Sequence, residues 1–205
     1  MTSKGDSTKA QILSCAKEEF LQQGYRDASI RRIVERAGLT TGALYRHFDG
    51  KEALFAQLVE PATSAVLSSF QRESERYFEL AEKIGPSITM SQWEQNFTGM
   101  LNIIYAHFDA FKLLIDKSAG SSYENFFDEL IEEDAVQTLD YVALLHKDES
   151  IKDEFKLSDL IVLSHATYEI VFETIRKDMP RQEADRYLAF MFRFLAAGWN
   201  VILRV

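Results

Sequence analysis

Between Ser29 and Phe48 the apolar residues fall at helical spacing, stop at Gly38, and resume after two threonines. Ile30, Ile33, Val34 and Ala37 follow the i, i+3, i+4, i+7 spacing of a helix with one buried face. Ser29 stands where an N-cap belongs, and Gly38 supplies the residue that closes such a helix. A second short helix is expected from Thr40 to near Phe48. Its Leu44 and Phe48, four apart, hold it to a core of Phe20, Ile33 and Val34. A short packed helix, a tight turn and a second helix with an exposed N-terminal half make a helix-turn-helix, a unit that sets its second helix in a DNA groove.

The residues of that second helix suit the task. Thr40 and Thr41 place hydroxyls and unpaired backbone N–H groups where a phosphate can meet them. Gly42 is poor for a helix, about 1 kcal/mol worse than alanine, and a backbone that must approach a groove closely explains it. Tyr45 can stack on or bond to the DNA backbone, and Arg46 can reach a phosphate or a guanine edge. His47 and Lys51 add candidate phosphate contacts, as do Ser29, Arg31 and Arg32 around the preceding helix. Each has a plainer use as well. Gly42 is tolerated in some helices, His47 can cap or join a core, and Lys51, Arg31 and Arg32 can be solvated surface cations.

The overall charge of −9 argues against a polyanionic partner until its distribution is read. Residues 1–51 hold nine Lys and Arg against six Asp and Glu, a net of +3, while residues 52–205 hold 14 against 26, a net of −12. A basic head on an acidic body can meet phosphate with one end and repel it with the other. The single cysteine, Cys15, excludes an intrachain disulfide and a cysteine-based metal cluster, and is expected to be a small buried side chain. No Glu-x-x-His pair, glycine-rich phosphate loop or nucleophile elbow is present, so neither an enzyme nor a metal or other cofactor is expected. Met1–Lys9 has no apolar run behind it, and Tyr187–Leu203 is short for a bilayer span and contains Arg193. A cytoplasmic protein with no membrane partner is expected.

The remainder reads as helix almost throughout, about nine helices in an all-α chain. The first runs from about Thr8 to Gln23, with Ile12, Ala16 and Phe20 on one side and Gly24 as its stop. A long fourth helix spans Lys51 to about Lys83, with a bend expected near Glu60 because Pro61 lacks a backbone donor. Gly85-Pro86 breaks the chain, and Ser91-Gln92-Trp93-Glu94 is a capping box for the next helix. Short and long helices follow near Asp109–Lys117 and Tyr123–Leu145, separated by the loop Ser118–Ser122. His146–Glu154 reads as a solvated connection. The last two helices cover about Leu157–Lys177 and Arg181–Leu203, with Pro180 suited to the first turn of the latter. The final helix is apolar nearly all round and needs cover on two sides, from its own domain and, most simply, from a second copy. Ala196-Ala197-Gly198 would permit close approach.

The run from Ile12 through Phe20, Gly24-Tyr25 and Ser29-Ile30 to Ala37-Gly38-Leu39-Thr40-Thr41-Gly42-Ala43-Leu44-Tyr45-Arg46-His47-Phe48-Asp49-Gly50-Lys51-Glu52-Ala53-Leu54-Phe55 resembles the DNA-binding domain of the tetracycline-repressor (TetR) family. Val34 stands where alanine is common, a mild departure. The resemblance covers the first quarter by motif; the rest agrees in helix count and length. It implies a helix-turn-helix domain over residues 1–52 and a helical effector-binding and dimerisation domain over 53–205. The function implied is a homodimeric transcriptional regulator, most often a repressor, which leaves a palindromic operator in double-stranded DNA on binding a small molecule. The effector pocket would lie among the middle helices, with Trp93, Phe97, Tyr105, Phe108, Tyr123, Phe127, His165 and Tyr168 as candidate lining. The last two helices would pair in a four-helix bundle, with Ile161, Phe172, Leu188, Met191, Leu195, Trp199 and Ile202 as candidate interface. The rival reading is a helical adaptor that keeps the fold and binds only protein.

Overall fold

The computed structural model describes residues 4–84, 90–146 and 156–203; the side chains of residues 4, 77, 80–84, 90–97, 145–146, 200 and 202–203 lie outside that description. Among the described residues the chain is all-α. The helices are α1 (Lys4–Asp27), α2 (Ile30–Arg36), α3 (Thr41–Tyr45), α4 (Lys51–Ile84), α5 (Met90–Ala106), α6 (Phe108–Asp116), α7 (Phe126–His146), α8 (Leu157–Arg176) and α9 (Arg181–Leu203). The capping box at Ser91 and the connection 147–155 fall outside the described residues, so those two expectations stand as they were. No described helix is long and apolar enough to cross a membrane.

The chain packs as two units, one of Met1–Ser64 with His107–Phe126 and one of Ala65–Ala106 with Phe127–Val205. In the first, Ile12, Ala16 and Phe20 are buried on one stripe of α1. Phe20 and Tyr25 both meet the edge of Phe55 at ring separations of 5.2 Å. Burying a ring of this kind contributes roughly 1.5–3 kcal/mol over leaving it in water, so this trio anchors the head. The regular part of α1 ends where expected, because Gly24 takes φ 76° and ψ 165° and only a short turn continues to Asp27. Cys15 is half-buried rather than fully covered. The unit also takes in α6 and the turn after it, a grouping that residue spacing did not suggest. Lys17 Nζ meets Asp109 Oδ2 at 2.6 Å, and the Tyr25 N–H donates to the Lys117 carbonyl at 2.7 Å.

In the second unit α9 packs on α5 and α8. The Tyr105 hydroxyl donates to the Met179 carbonyl at 2.6 Å, tying α5 to the turn between α8 and α9. That turn is a left-handed helix stop: Asp178 takes φ 49°, and the Met179 N–H reaches back to the Thr174 carbonyl at 2.9 Å. Pro180 then precedes α9, its carbonyl accepting from the N–H groups of Glu183 and Ala184. The helix α4 runs through Pro61 as one element, with the proline exposed.

Candidate nucleic-acid interface

Three short local devices shape the head. Gly38 at φ 64° ends α2 by letting the Leu39 N–H reach the Val34 carbonyl and its own N–H reach the Glu35 carbonyl. This turn leads directly into α3. Thr40 caps α3, its hydroxyl oxygen accepting from the Ala43 N–H at 3.2 Å. Leu44 and Phe48 are buried beneath α3, together with Ile33 and Val34 of α2.

Packing by Leu44 and Phe48 decides what α3 presents outward. Thr40, Thr41, Gly42, Tyr45, Arg46 and His47 are all exposed, Tyr45 by 53%. The side chains of Tyr45, Arg46 and His47 make no hydrogen bond or ion pair among the described residues. A Cβ built on Gly42 meets nothing within 4 Å, so the chain's own packing does not demand glycine there. The helix is shorter than expected: it ends at Tyr45, and His47 and Phe48 lie in a turn whose N–H groups bond to the Leu44 carbonyl.

Four candidates carry local duties. Ser29 does not cap α2 with its hydroxyl; its backbone N–H instead donates to Glu19 Oε1 at 3.1 Å. Arg31 is paired with Glu35 on the same helix at 2.7 Å. Arg32 is fastened to Glu19 and to the Asp27 carbonyl. The Lys51 ammonium sits over the Tyr25 ring at 4.4 Å and donates to the Arg26 carbonyl at 3.1 Å, at the end of α1. Lys51 also reaches the Ala28 carbonyl at 3.5 Å, and is thus half-buried and structurally tied.

Glu19 is the residue that spacing overlooked. It falls on the same stripe as Ile12, Ala16 and Phe20, and an acid on an apolar stripe is the signal that marks it. Burial alone would raise its carboxyl; the hydrogen bonds from Arg32 and the Ser29 N–H, with the charges of Arg32 and Arg36, outweigh that and hold it below the usual carboxylate range. A second overlooked group joins α4 to the turn after α6. Glu52 accepts from the Tyr25 hydroxyl, the Ser122 hydroxyl and the Ser122 N–H. Burial, the bond to Glu52 and its negative charge push the Tyr25 phenol up to about 12.

The candidate effector residues do not form one group. Phe108 and Tyr123 belong to the first unit, where Tyr123 packs on Phe55. Tyr105 spends its hydroxyl on Met179. Phe127 and Tyr168 do converge, both against Phe172, at ring separations of 4.7 and 6.2 Å. His165 is half-buried on α8. The side chains of Trp93 and Phe97 lie outside the described residues.

The candidate pairing residues are largely spent on the chain itself. Phe172, Leu188, Leu195 and Trp199 are buried in the second unit, so they are core and not a free face. Ile161 and Met191 are half-buried, and the Ile202 side chain lies outside the described residues. The apolar residues left in water are others: Phe190, Phe194 and Val201 on α9, exposed by 71, 72 and 79%, and Val162 on α8. Their i, i+4, i+11 spacing puts the three on one stripe, with exposed Ala197 and Gly198 between them. Composition showed that α9 is apolar on two sides without showing which residues take which side.

Residues 12–58 match the family described as "Bacterial regulatory proteins, tetR family". Over 66 residues the chain is 39% identical to an uncharacterized HTH-type transcriptional regulator, YdgC, of Bacillus subtilis (strain 168), covering 32% of this chain and 34% of that protein. It is 31% identical over 104 residues to the HTH-type transcriptional regulator SrpR of Pseudomonas putida, covering 50% of this chain and 42% of that one. It is 35% identical over 65 residues to an HTH-type transcriptional repressor of Mycobacterium tuberculosis (strain ATCC 25618 / H37Rv), covering 32% of this chain and 35% of that one. These matches therefore span between about a third and two fifths of the relatives' own lengths.

Proposed function

We propose, from the match of residues 12–58 to the tetR family of bacterial regulatory proteins, that this chain is a DNA-binding transcriptional regulator of that family, not an enzyme. The observation that carries the proposal is the outward face of α3. Tyr45, Arg46 and His47 stand exposed without partners among the described residues, beside a glycine that the described packing does not need. Thr41 and the start of α3 supply hydroxyl and backbone donors for phosphate, and Arg46 supplies a fork for a guanine edge or a phosphate. Arg31 and Arg32 are assigned to the fold before the DNA, since acids of the head already hold them. We assign residues 1–52 to DNA binding and residues 53–205 to effector binding and pairing.

Two copies acting on a palindrome follow from the exposed stripe of α9. A stripe of Phe190, Phe194 and Val201 is costly in water, and a second copy related by a two-fold axis covers the same stripe on each partner. A Cβ on Gly198 meets nothing within 4 Å in its own chain, so the gap it leaves is open to a partner helix. Two heads on a two-fold axis then read two half-sites. The regulator is proposed as a cytoplasmic repressor released by a small molecule bound in the second unit; the relative from M. tuberculosis carries the name of repressor.

The test is a gel shift of purified chain on the DNA upstream of its own gene, read across a salt series. Wild-type chain should retard the fragment, with affinity falling steeply as salt rises. Replacing Tyr45 and Lys51 together by alanine should abolish the shift. A chain that binds no such DNA at low salt, or a variant that binds as wild type does, rejects the proposal.

A further inference from the structure

Among the described residues no Lys or Arg pairs with the carboxylate of Asp134 on α7. Its one hydrogen bond among the described residues comes from the Ser164 hydroxyl of α8, at 3.4 Å. An aromatic cluster spans the same two helices: Phe127 of α7 lies 4.7 Å from Phe172 of α8, and Tyr168 lies 6.2 Å from that ring. The charge of Asp134 reaches the Tyr168 hydroxyl as well, adding to burial in raising that phenol.

The helices that carry these groups are starved of positive charge. Six Asp and Glu lie on α7 with no Lys or Arg. On α8 the single arginine, Arg176, is already held by Glu169 on the same helix. No Lys or Arg of either helix is therefore placed to neutralise Asp134, and the one described imidazole there is that of His165. A half-buried carboxylate whose partner is a neutral hydroxyl is unfavourably placed, and a ligand that brings the missing charge turns that cost into affinity.

We infer that Asp134, together with Tyr168 and the rings of Phe172 and Phe127 that cluster with it, is the anionic end of a site for an organic cation bearing apolar or aromatic groups. The inference rests on the reading of the chain as a ligand-responsive regulator and names the chemical class of its effector. The carboxylate supplies the opposite charge, the ring faces attract a cation and cover its apolar body, and the Ser164 hydroxyl fixes the carboxylate. An anion of the same shape meets repulsion from Asp134 and from the acids of α7 at once. Shape alone cannot then decide what binds; the sign of the charge does.

Tetraphenylphosphonium and tetraphenylborate are close in size and shape and opposite in charge, which makes them the probes. Calorimetric titration of the full chain at pH 7.5, without DNA, should show binding of the phosphonium and none of the borate. Asp134→Asn should weaken the phosphonium by on the order of tenfold or more, the loss of one close charge pair. Thermal unfolding of that variant checks that the fold persists, and Ser164→Ala should weaken the same probe by a smaller factor. Equal affinity for the two ions, binding of neither, or an unchanged phosphonium affinity in Asp134→Asn overturns the inference. The gel shift answers for the underlying reading separately: a chain that retards its DNA and shows no preference between the ions has lost the cation site alone.

Discussion

Arg32 Nε lies 2.6 Å from Glu19 Oε1, and the acid it meets is only 1% exposed. The pair fixes the start of α2 on α1, because the same carboxylate oxygen takes the Ser29 N–H. Removing one partner of a buried pair leaves the other uncompensated, so Glu19→Ala should destabilise the head by about 2–4 kcal/mol. The pH dependence follows from the direction of the shift. A carboxyl held below its unfolded value stabilises the fold above the unfolded carboxylate range, and that contribution disappears as pH falls through the lower, folded value. Thermal unfolding from neutral pH to below about pH 4 should therefore show wild type losing stability that Glu19→Ala already lacks. Parallel curves for the two proteins would contradict this account of Glu19.

The bond from Tyr25 to Glu52 predicts a milder effect. Tyr25→Phe keeps the ring against Phe20 and Phe55 and removes one hydroxyl donor from an acid that retains Ser122 and its N–H. A loss of about 1 kcal/mol is expected, which is a fall of roughly 2–4 °C in melting temperature for a chain of this size. Glu52→Ala should cost more, since it strands the Tyr25 hydroxyl and both donors of Ser122 together. A differential scanning experiment that ranks the two variants the other way would refute the arrangement.

The helix-turn-helix was legible because each of its parts has a local cause. Spacing gave Ile33, Val34, Leu44 and Phe48 as the buried set, and Gly38 marked the turn. Ser29 was rightly read as the N-cap of α2, but residue type could not reveal that its hydroxyl makes no capping bond and that Glu19, ten residues earlier, takes its N–H. Lys51 was readable as a cation but not as one seated over Tyr25, a contact set by the path of the chain after Gly24. The same limit applied to α9. A helix apolar on two sides announces that it needs two covers, yet only the packed structure separates inward Leu188 and Trp199 from outward Phe190 and Phe194. The approach of Asp134 to Ser164 and of Phe127 to Phe172 joins α7 and α8 across the chain, and no local pattern carries that information.

The division of α9 gives opposite expectations for neighbouring positions. Phe194→Asp puts a charge on the exposed stripe and should yield a folded monomer by sedimentation, with DNA affinity lost as pairing is lost. Leu188→Ala empties part of the core and should cost about 2–5 kcal/mol of stability. A dimeric Phe194→Asp variant would show that the exposed stripe is not where two copies meet.

Burial pushes the Asp134 carboxyl up to about 6, and the hydrogen bond from Ser164 only partly offsets it. Here the sign is reversed from Glu19. The folded chain binds the proton more tightly than the unfolded one, so stability from this group falls as pH rises from about 4 to about 6 and stays lower above. Asp134→Asn should gain roughly 1–2 kcal/mol over wild type at pH 7.5, after allowance for solvent around a partly covered group, and almost nothing below pH 4. Denaturant titrations at the two pH values decide it; a variant less stable than wild type at pH 7.5 would mean that the carboxylate is paired after all.

The central claim is that α3, carried twice by a pair of chains, reads DNA through Tyr45 and Arg46. Fluorescence anisotropy of a labelled duplex from the region upstream of the chain's own gene, titrated with wild-type chain and with Arg46→Ala, tests it most directly. The account predicts saturation at an even number of chains per duplex and a loss of about 1–3 kcal/mol in the variant with its melting temperature unchanged. Saturation at a single chain, or equal affinity for wild type and Arg46→Ala, would contradict it.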